Sequence, residues 1–441
     1  MEDKGLSDFK SFSGAIQLND SSVSIDFCAK INERGEVEFN FISVALTNET
    51  SFILKSMSSE QMGLNYFSLF GKSEDGTEIR TEDFQIHNLG TDSDESSHYI
   101  KFNGKCLKAI FMRPLVKTVL VPTLKIHMKG FQNFHQLDAT CELGEVAMHG
   151  QSSILDADTI TGYIAIQSKT PIQSAGLSAW RSESNKLLEH VHRVMSFASS
   201  TLFGVTVIEF YSGNSLEATV FSQGKQSLAS MRVFHFMDQQ DIFETAVKSF
   251  FNPPFTVKNL FFAVEWFAMN SSYSEVRLVN AMTVLENLIA SNLSEEEKLV
   301  RPKNEFKKVR KNIRCVLKEN IDEWFDNDDE RAIALGEIDE KMPDLNRKTL
   351  LKKLNILIER WSVPMHGINE ADILAAKKAR DLIVHQGCYD HNLGEELWVH
   401  VTIVREIVVR IILTVLGFKG RYVSHVGGFH DVQFPPAITV N

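Results

Sequence analysis

The stretch SFFNPPFTVKN, residues 249–259, separates two halves of the chain that differ in pattern. Proline fixes φ and has no N–H to donate, so Asn252-Pro253-Pro254 ends whatever regular element precedes it. Before it, SSVSIDFCA (21–29), GEVEFNFISVAL (35–46), HYIKFNG (98–104), KAIFMRPLVKTVLV (108–121) and ITGYIAIQS (160–168) are short runs rich in β-branched and aromatic residues. Turn clusters such as NERG and SEDG separate them, which predicts a β-rich domain of sandwich or barrel-like form. From Ser178 the apolar spacing changes to three and four, predicting a helix capped by Ser182 or Ser184. TVIEFYS and LEATVFS follow as two strands around a turn at Gly213-Asn214, so residues from about 178 to 252 read as a small mixed α/β segment attached to the β-rich domain.

Beyond the double proline the pattern predicts helices over 256–269, 274–291, 303–320, 347–361, 370–386 and 395–416, with a tail over 421–441. The fifth has an Asn369/Asp372 capping-box signature and Gly387 at its C-cap position. The sixth has Asn392 and Glu395 at its start and Gly417 at its end. The fold class is therefore α+β multidomain, with a β-rich domain over 1–252 and an all-α bundle over 256–420.

A net charge of −11 and a pI near 5.7 argue against nonspecific coating of nucleic acid, which needs a broad cationic surface. Five scattered cysteines form no C-x-x-C pair and predict reduced thiols in a cytoplasmic protein. No signal peptide and no membrane span are expected: Arg405, Glu406 and Arg410 interrupt the most apolar window, VTIVREIVVRIILTVLGF. P-loop, Rossmann and H-E-x-x-H motifs are lacking in the sequence, so the reading includes no cofactor and no metal.

KKARDLIVHQG (377–387) places Arg380, Asp381 and His385 at the end of the fifth helix. At about 100° per residue, Asp381 and His385 lie on one side, whereas Arg380 is about 140° from His385. Ala371, Ala375, Ala379, Leu382 and Ile383 are expected to form the packed face. The three polar groups suit cleavage of RNA by its own 2′-hydroxyl. Histidine moves protons near neutrality, arginine holds charge on the phosphoryl oxygens, and a carboxylate orients an imidazole. A two-fold dimer would supply a second histidine as acid partner to the first as base. The spacing Arg-x4–6-His also occurs at Arg80/His87 and Arg360/His366, but the first lies in the β-rich half and the second contains Pro364.

A C-terminal helical domain carrying R-D-L-I-V-H resembles the HEPN superfamily, and the β-rich region before it is similar to the layout of ApeA-type anti-phage defence proteins. The resemblance implies a HEPN-like ribonuclease domain over 256–420, with catalytic residues Arg380, Asp381 and His385 and metal-independent cleavage at a homodimer interface. It also implies a role in abortive infection through damage to cellular RNA, with tRNA as a candidate, under an N-terminal sensing or regulatory domain that answers a phage-derived trigger. The competing reading is a catalytically silent HEPN-like module that dimerises or binds nucleotide or a partner protein.

Further candidates surround this motif. By the same resemblance Glu286, in NAMTVLENLI, could touch the catalytic helix as acidic residues on the opposing helix of such bundles can, and Tyr389 and His391, in the loop after it, could contact substrate or simply be exposed. Lys307, Lys308, Arg310, Lys311 and Arg314 belong to a basic run, 298–314, that could follow an RNA backbone or simply be a solvated helix face. His190 and His192 form an H-x-H, but residues two apart on a helix diverge, which argues against a shared metal.

Overall fold

The computed structural model describes residues 6–58, 65–93, 98–153, 156, 158–222, 231–269, 271–325 and 327–436. The chain divides into two compact units, Met1–Asn252 and Pro253–Asn441.

The first unit contains strands β1 (Lys10–Leu18), β2 (Ser21–Ile31), β3 (Val37–Phe39) and β4 (Ile42–Ala45), then helix α1 (Ser51–Ser58). Strands β5 (Phe67–Lys72), β6 (Glu78–Ser93), β7 (His98–Cys106), β8 (Lys108–Lys129), β9 (Leu137–Thr140), β10 (Glu145–Gly150) and β11 (Gly162–Gln167) follow. Helix α2 (Ser174–Ser199), strand β12 (Gly204–Phe221) and helix α3 (Gln240–Phe251) complete it. Among the described residues these strands form one branched sheet in which every named pair is antiparallel, with β3-β2-β1-β5-β6-β8-β11-β10-β9 as its path. Its alternating inward residues build an aromatic core: Phe12 stacks on Phe27 with centroids 5.4 Å apart, and Phe39 meets Phe84 edge-on at 5.1 Å. Gly71 is required there, because a Cβ would lie 2.8 Å from the Phe27 ring.

Two expectations for this unit change. TVIEFYS and LEATVFS are collinear parts of β12, since both pair with β8, and Gly213, at φ +53°, marks a register shift and not a hairpin turn. Pro114 of β8 stands opposite Ser215 at the same irregularity, where a missing N–H is tolerated. Helix α2 starts at Ser174, before Ser182 and Ser184, and Ser184 is buried. The Trp180 indole donates to the Leu143 carbonyl at 2.8 Å and secures the early turns that no side-chain cap stabilises. With β12 in the sheet and α2 and α3 packed on β8, β9 and β11, the mixed segment is integral to the unit.

The second unit contains α4 (Leu260–Ala268), α5 (Ser274–Asn292), α6 (Lys303–Asn320), α7 (Asp328–Lys341), α8 (Leu350–Trp361), α9 (Glu370–Gln386) and α10 (Gly394–Leu416), then the hairpin β13 (Gly420–Ser424) and β14 (His430–Phe434). Helix α4 begins later than expected because Asn292 captures the backbone at Lys258, accepting from its N–H at 2.8 Å and donating to its carbonyl at 3.1 Å. Helix α7 lacks apolar periodicity. It rests on an Asn327 cap to the Asp329 N–H and three acidic residues in its first turn, which face the positive end of the helix dipole.

The hairpin occupies most of the segment expected to be a tail. Buried Glu406 of α10 accepts from Tyr422 Oη and from Ser424 Oγ at 3.1 Å, and also pairs with Arg410 at 2.8 Å. Arg410 in turn donates to the carbonyls of Pro364 at 3.1 Å and His366 at 2.8 Å. The polar residues that interrupt the apolar window are thus buried: Glu406 and Arg410 pair with each other, and Arg405 donates to the Phe267 carbonyl at 3.3 Å and lies over the Phe267 ring. Among the described residues no helix is long and apolar enough to cross a membrane.

Candidate functional site

Helix α9 is defined by local chemistry at both ends. The Asn369 side chain accepts from the Asp372 N–H at 3.0 Å, Asp372 accepts in return from the Asn369 N–H at 3.2 Å, and Gly387 adopts φ +81° at the C-cap. Its buried residues are Ile373, Ala376, Ala379 and Ile383, and it packs against α5 and α10. The buried stripe is rotated from the expected one. Ala379 and Ile383 belong to it, but Ala371 and Leu382 are exposed, because small Ala376 and Ala379 sit at the close approach to the neighbouring helices.

This rotation directs Arg380 toward α5. Its Nη2 lies 2.6 and 2.7 Å from the two carboxylate oxygens of Glu286, and its Nη1 lies 3.1 Å from Asp381 Oδ1. Its Nε is buried with no hydrogen-bond partner among the described residues. Asp381 also receives Lys377 Nζ at 2.5 Å. Burial opposes ionisation of Asp381, but the hydrogen bonds and charges of Lys377 and Arg380 outweigh it and hold the carboxyl below its ordinary value.

His385 is exposed and makes no hydrogen bond or ion pair among the described residues. Within one chain Asp381 is therefore engaged by two cations and does not orient the His385 imidazole, although the two residues share a side of the helix. Tyr389 is buried, not exposed as expected, and desolvation together with Glu396 and Asp390 raises its pKa. The side chain of His391 lies outside the described residues. Lys377 was not among the candidates, although its i,i+4 spacing from Asp381 was visible in the sequence.

The other two Arg/His spacings have different settings. Arg80 pairs with Glu82 in β6. Arg360 pairs with Glu297 and donates to the Asn292 carbonyl at 2.6 Å, whereas the His366 backbone carbonyl is held by Arg410. His190 and His192 diverge: the first bonds Ser249 Oγ at 3.0 Å and the second the Phe203 carbonyl at 3.0 Å. Among the described residues no three His, Cys, Asp or Glu side chains are grouped to hold a metal ion.

Beside the motif a cavity of about 520 Å³ opens between the end of α5, the start of α6 and α8, with Glu286 in its wall. Lys307 and Arg310 line it, but Lys308, Lys311 and Arg314 do not. Arg314 is instead bound to Asp339 of α7 at 2.7 Å. No protein-family model, no curated protein and no solved structure matches this chain.

Proposed function

We propose that this protein is a metal-independent RNA endonuclease of the HEPN type, acting as a homodimer in anti-phage defence through abortive infection. The observation that supports this most is the division of labour on α9: Arg380 is anchored by Glu286, while His385, five residues on, is exposed and unbonded. A cation that must sit against a phosphoryl group benefits from being fixed, and a proton-transfer group must reach substrate. In this reading one imidazole takes the 2′-hydroxyl proton as its oxygen attacks the adjacent phosphorus. The bond to the 5′-oxygen breaks, and the imidazole of a second copy protonates that leaving oxygen. The arginines hold charge on the nonbridging oxygens and leave a 2′,3′-cyclic phosphate. The wheel separation of Arg380 and His385 is the reason a second copy is invoked. Exposed Leu382, Val384, Leu393, Trp398 and Val399 around the same end of α9 and α10 offer apolar area for it. The first unit then serves as the sensing or regulatory part, and tRNA is the first substrate to try.

A second reading has its own support. Arg380 already faces two carboxylates, as a residue that merely bridges helices would, which suits a noncatalytic HEPN-like interaction module. One comparison separates the two. RNA cleavage by the parent chain is measured in EDTA against His385→Ala and Arg380→Ala, and general acid–base loss is expected to be about 10²- to 10⁴-fold. Absence of cleavage by the parent, or cleavage retained in both variants, removes the ribonuclease reading.

A further inference from the structure

The cavity beside Arg380 differs from its surroundings in charge. Six cations line it, Lys298, Lys303, Lys307, Arg310, Arg347 and Lys353, against the carboxylates of Glu286 and Glu295, in a chain of net charge −11. Three of the six are in ion pairs: Lys298 meets Glu295 at 2.9 Å, Arg347 meets Asp344 at 3.1 Å, and Arg310 lies 3.7 Å from Asp339. The side chains of Lys303, Lys307 and Lys353 make no hydrogen bond or ion pair among the described residues, although the charge of Lys303 helps to hold the exposed Glu295 carboxyl below its ordinary value. Three ammonium groups gathered around one concavity repel one another, and an anion placed between them relieves that repulsion.

Part of the lining is apolar: Ile289, Leu299, Phe306 and Leu350 contribute, with Phe306 half-buried. A cavity of about 520 Å³ falls in the range that holds one small organic group. A duplex is too wide to enter, whereas one unpaired nucleotide presents a flat base to apolar and aromatic side chains and a phosphate to the lysines.

We infer that this cleft holds an unpaired nucleotide of a single RNA strand, its phosphates on Lys303, Lys307 and Lys353 and its base against Phe306, next to the Glu286–Arg380 pair. The inference rests on the ribonuclease reading for the identity of the ligand, since Glu286 is both a wall of the cleft and the anchor of Arg380. It moves the RNA contact off the outer face of α6, where Lys308 and Lys311 lie, and into the cavity. The strand is thereby gripped beside the phosphodiester to be cut, and single-stranded segments are preferred over duplex.

The test uses the full chain carrying His385→Ala, so that binding is read without turnover. Fluorescence anisotropy of an end-labelled single-stranded RNA is measured for this protein and for two triple variants. One is Lys303→Glu/Lys307→Glu/Lys353→Glu, in the cleft; the other is Lys308→Glu/Lys311→Glu/Lys318→Glu, on exposed positions outside it. The cleft triple is expected to weaken binding by about tenfold or more and to flatten the log–log salt slope by about 2, at about 0.7 per lost phosphate contact on a single strand. The outer triple is expected to lose markedly less. Equal losses in the two triples, or no loss in the cleft triple, would overturn the inference. So would ATP or inorganic tripolyphosphate binding the cleft more tightly than the RNA does, because the site would then belong to a small polyphosphate. The α6 lysines of both triples stand on a helix that buries no residue, and Lys353 is half-exposed on α8, so unchanged circular dichroism and thermal midpoints are expected in both triples. The two proposals fail separately. A parent chain that cuts no RNA while the cleft triple alone loses binding defeats the catalysis, and a cutting parent whose cleft triple binds normally defeats the cleft.

Discussion

Arg380 of α9 and Glu286 of α5, 94 residues apart in the chain, meet with Nη2 2.6 and 2.7 Å from the two carboxylate oxygens. The arginine side chain is 23% exposed and the glutamate 41%, so water screens the pair and its strength is modest. Its consequence is positional: the guanidinium at the end of α9 has one orientation. Glu286→Gln keeps the shape and removes the charge. It should cost about 1 kcal/mol in urea denaturation, given the partial exposure. RNA cleavage should fall roughly tenfold as the guanidinium loses its fixed position. RNA affinity should not drop, because a negative charge has left the cleft wall, and a parallel loss of affinity would show that Glu286 instead holds substrate.

His385→Ala should leave stability within about 0.5 kcal/mol of the parent, since the exposed imidazole makes no bond that folding depends on. Loss of cleavage in this variant then reports chemistry. A destabilisation of several kcal/mol would mean that the side chain is packed in the native protein.

Glu406 should behave in the opposite way. It is buried and joined to Arg410, Tyr422 and Ser424, so Glu406→Ala leaves a buried guanidinium and two hydroxyls without their acceptor. Breaking one side of a buried pair costs about 3–5 kcal/mol. At about 2–4 °C per kcal/mol for a unit of this size, the thermal midpoint should fall by roughly 10 °C. A shift under about 2 °C would show that the network contributes little to folding.

Acid should weaken the first unit. Burial, and after it the Arg193 charge, lower the pKa of His190 and His192 from 6.5 to about 4, although hydrogen bonds to backbone carbonyls oppose the shift. Between pH 6.5 and about 4 the unfolded imidazoles bind protons that the folded ones refuse. Their contribution is therefore complete above 6.5 and declines as pH falls toward 4, by on the order of 3 kcal/mol per ring. Urea midpoints at pH 7.5 and 5.0 measure this, with His190→Gln expected to lose about half of the histidine-linked change. An identical pH response in parent and variant would assign acid sensitivity to other groups.

The ends of α9 are open to a simpler check. Asn369→Ala removes half of a capping box, and Gly387→Ala places a Cβ at φ +81°, so each should cost about 1 kcal/mol. Gly387 has open space around it, so the cost there is conformational and Gly387→Asn should recover part of it.

Features set by near neighbours along the chain could be read directly from the residues. The Asn369/Asp372 box and Gly387 set the limits of α9 through contacts within four residues, and alternation of inward and outward side chains made β2, β3, β4, β7, β8 and β11 legible, but not β1, β5, β6, β9 and β10. Where two local signals compete, distant pairing decides between them. Gly213-Asn214 looks like a hairpin, but both flanking runs share β8 as their partner, which no local pattern reveals. Helix α7 and the β13–β14 hairpin were missed for a related reason: the first has caps and charge but no apolar stripe, and the second owes much of its position to Glu406.

Tertiary structure alone decided which way the motif points. The packed stripe of α9 depends on how closely α5 and α10 approach, and that approach turned Arg380 onto Glu286, drew Asp381 to Lys377 and Arg380, buried Tyr389 and left His385 in solvent. It also gathered lysines from α6 and α8 around one cavity. Charge pairs and clefts arise between residues distant in sequence, because Coulomb and packing energies depend on separation in space, whereas a sequence records separation along the chain.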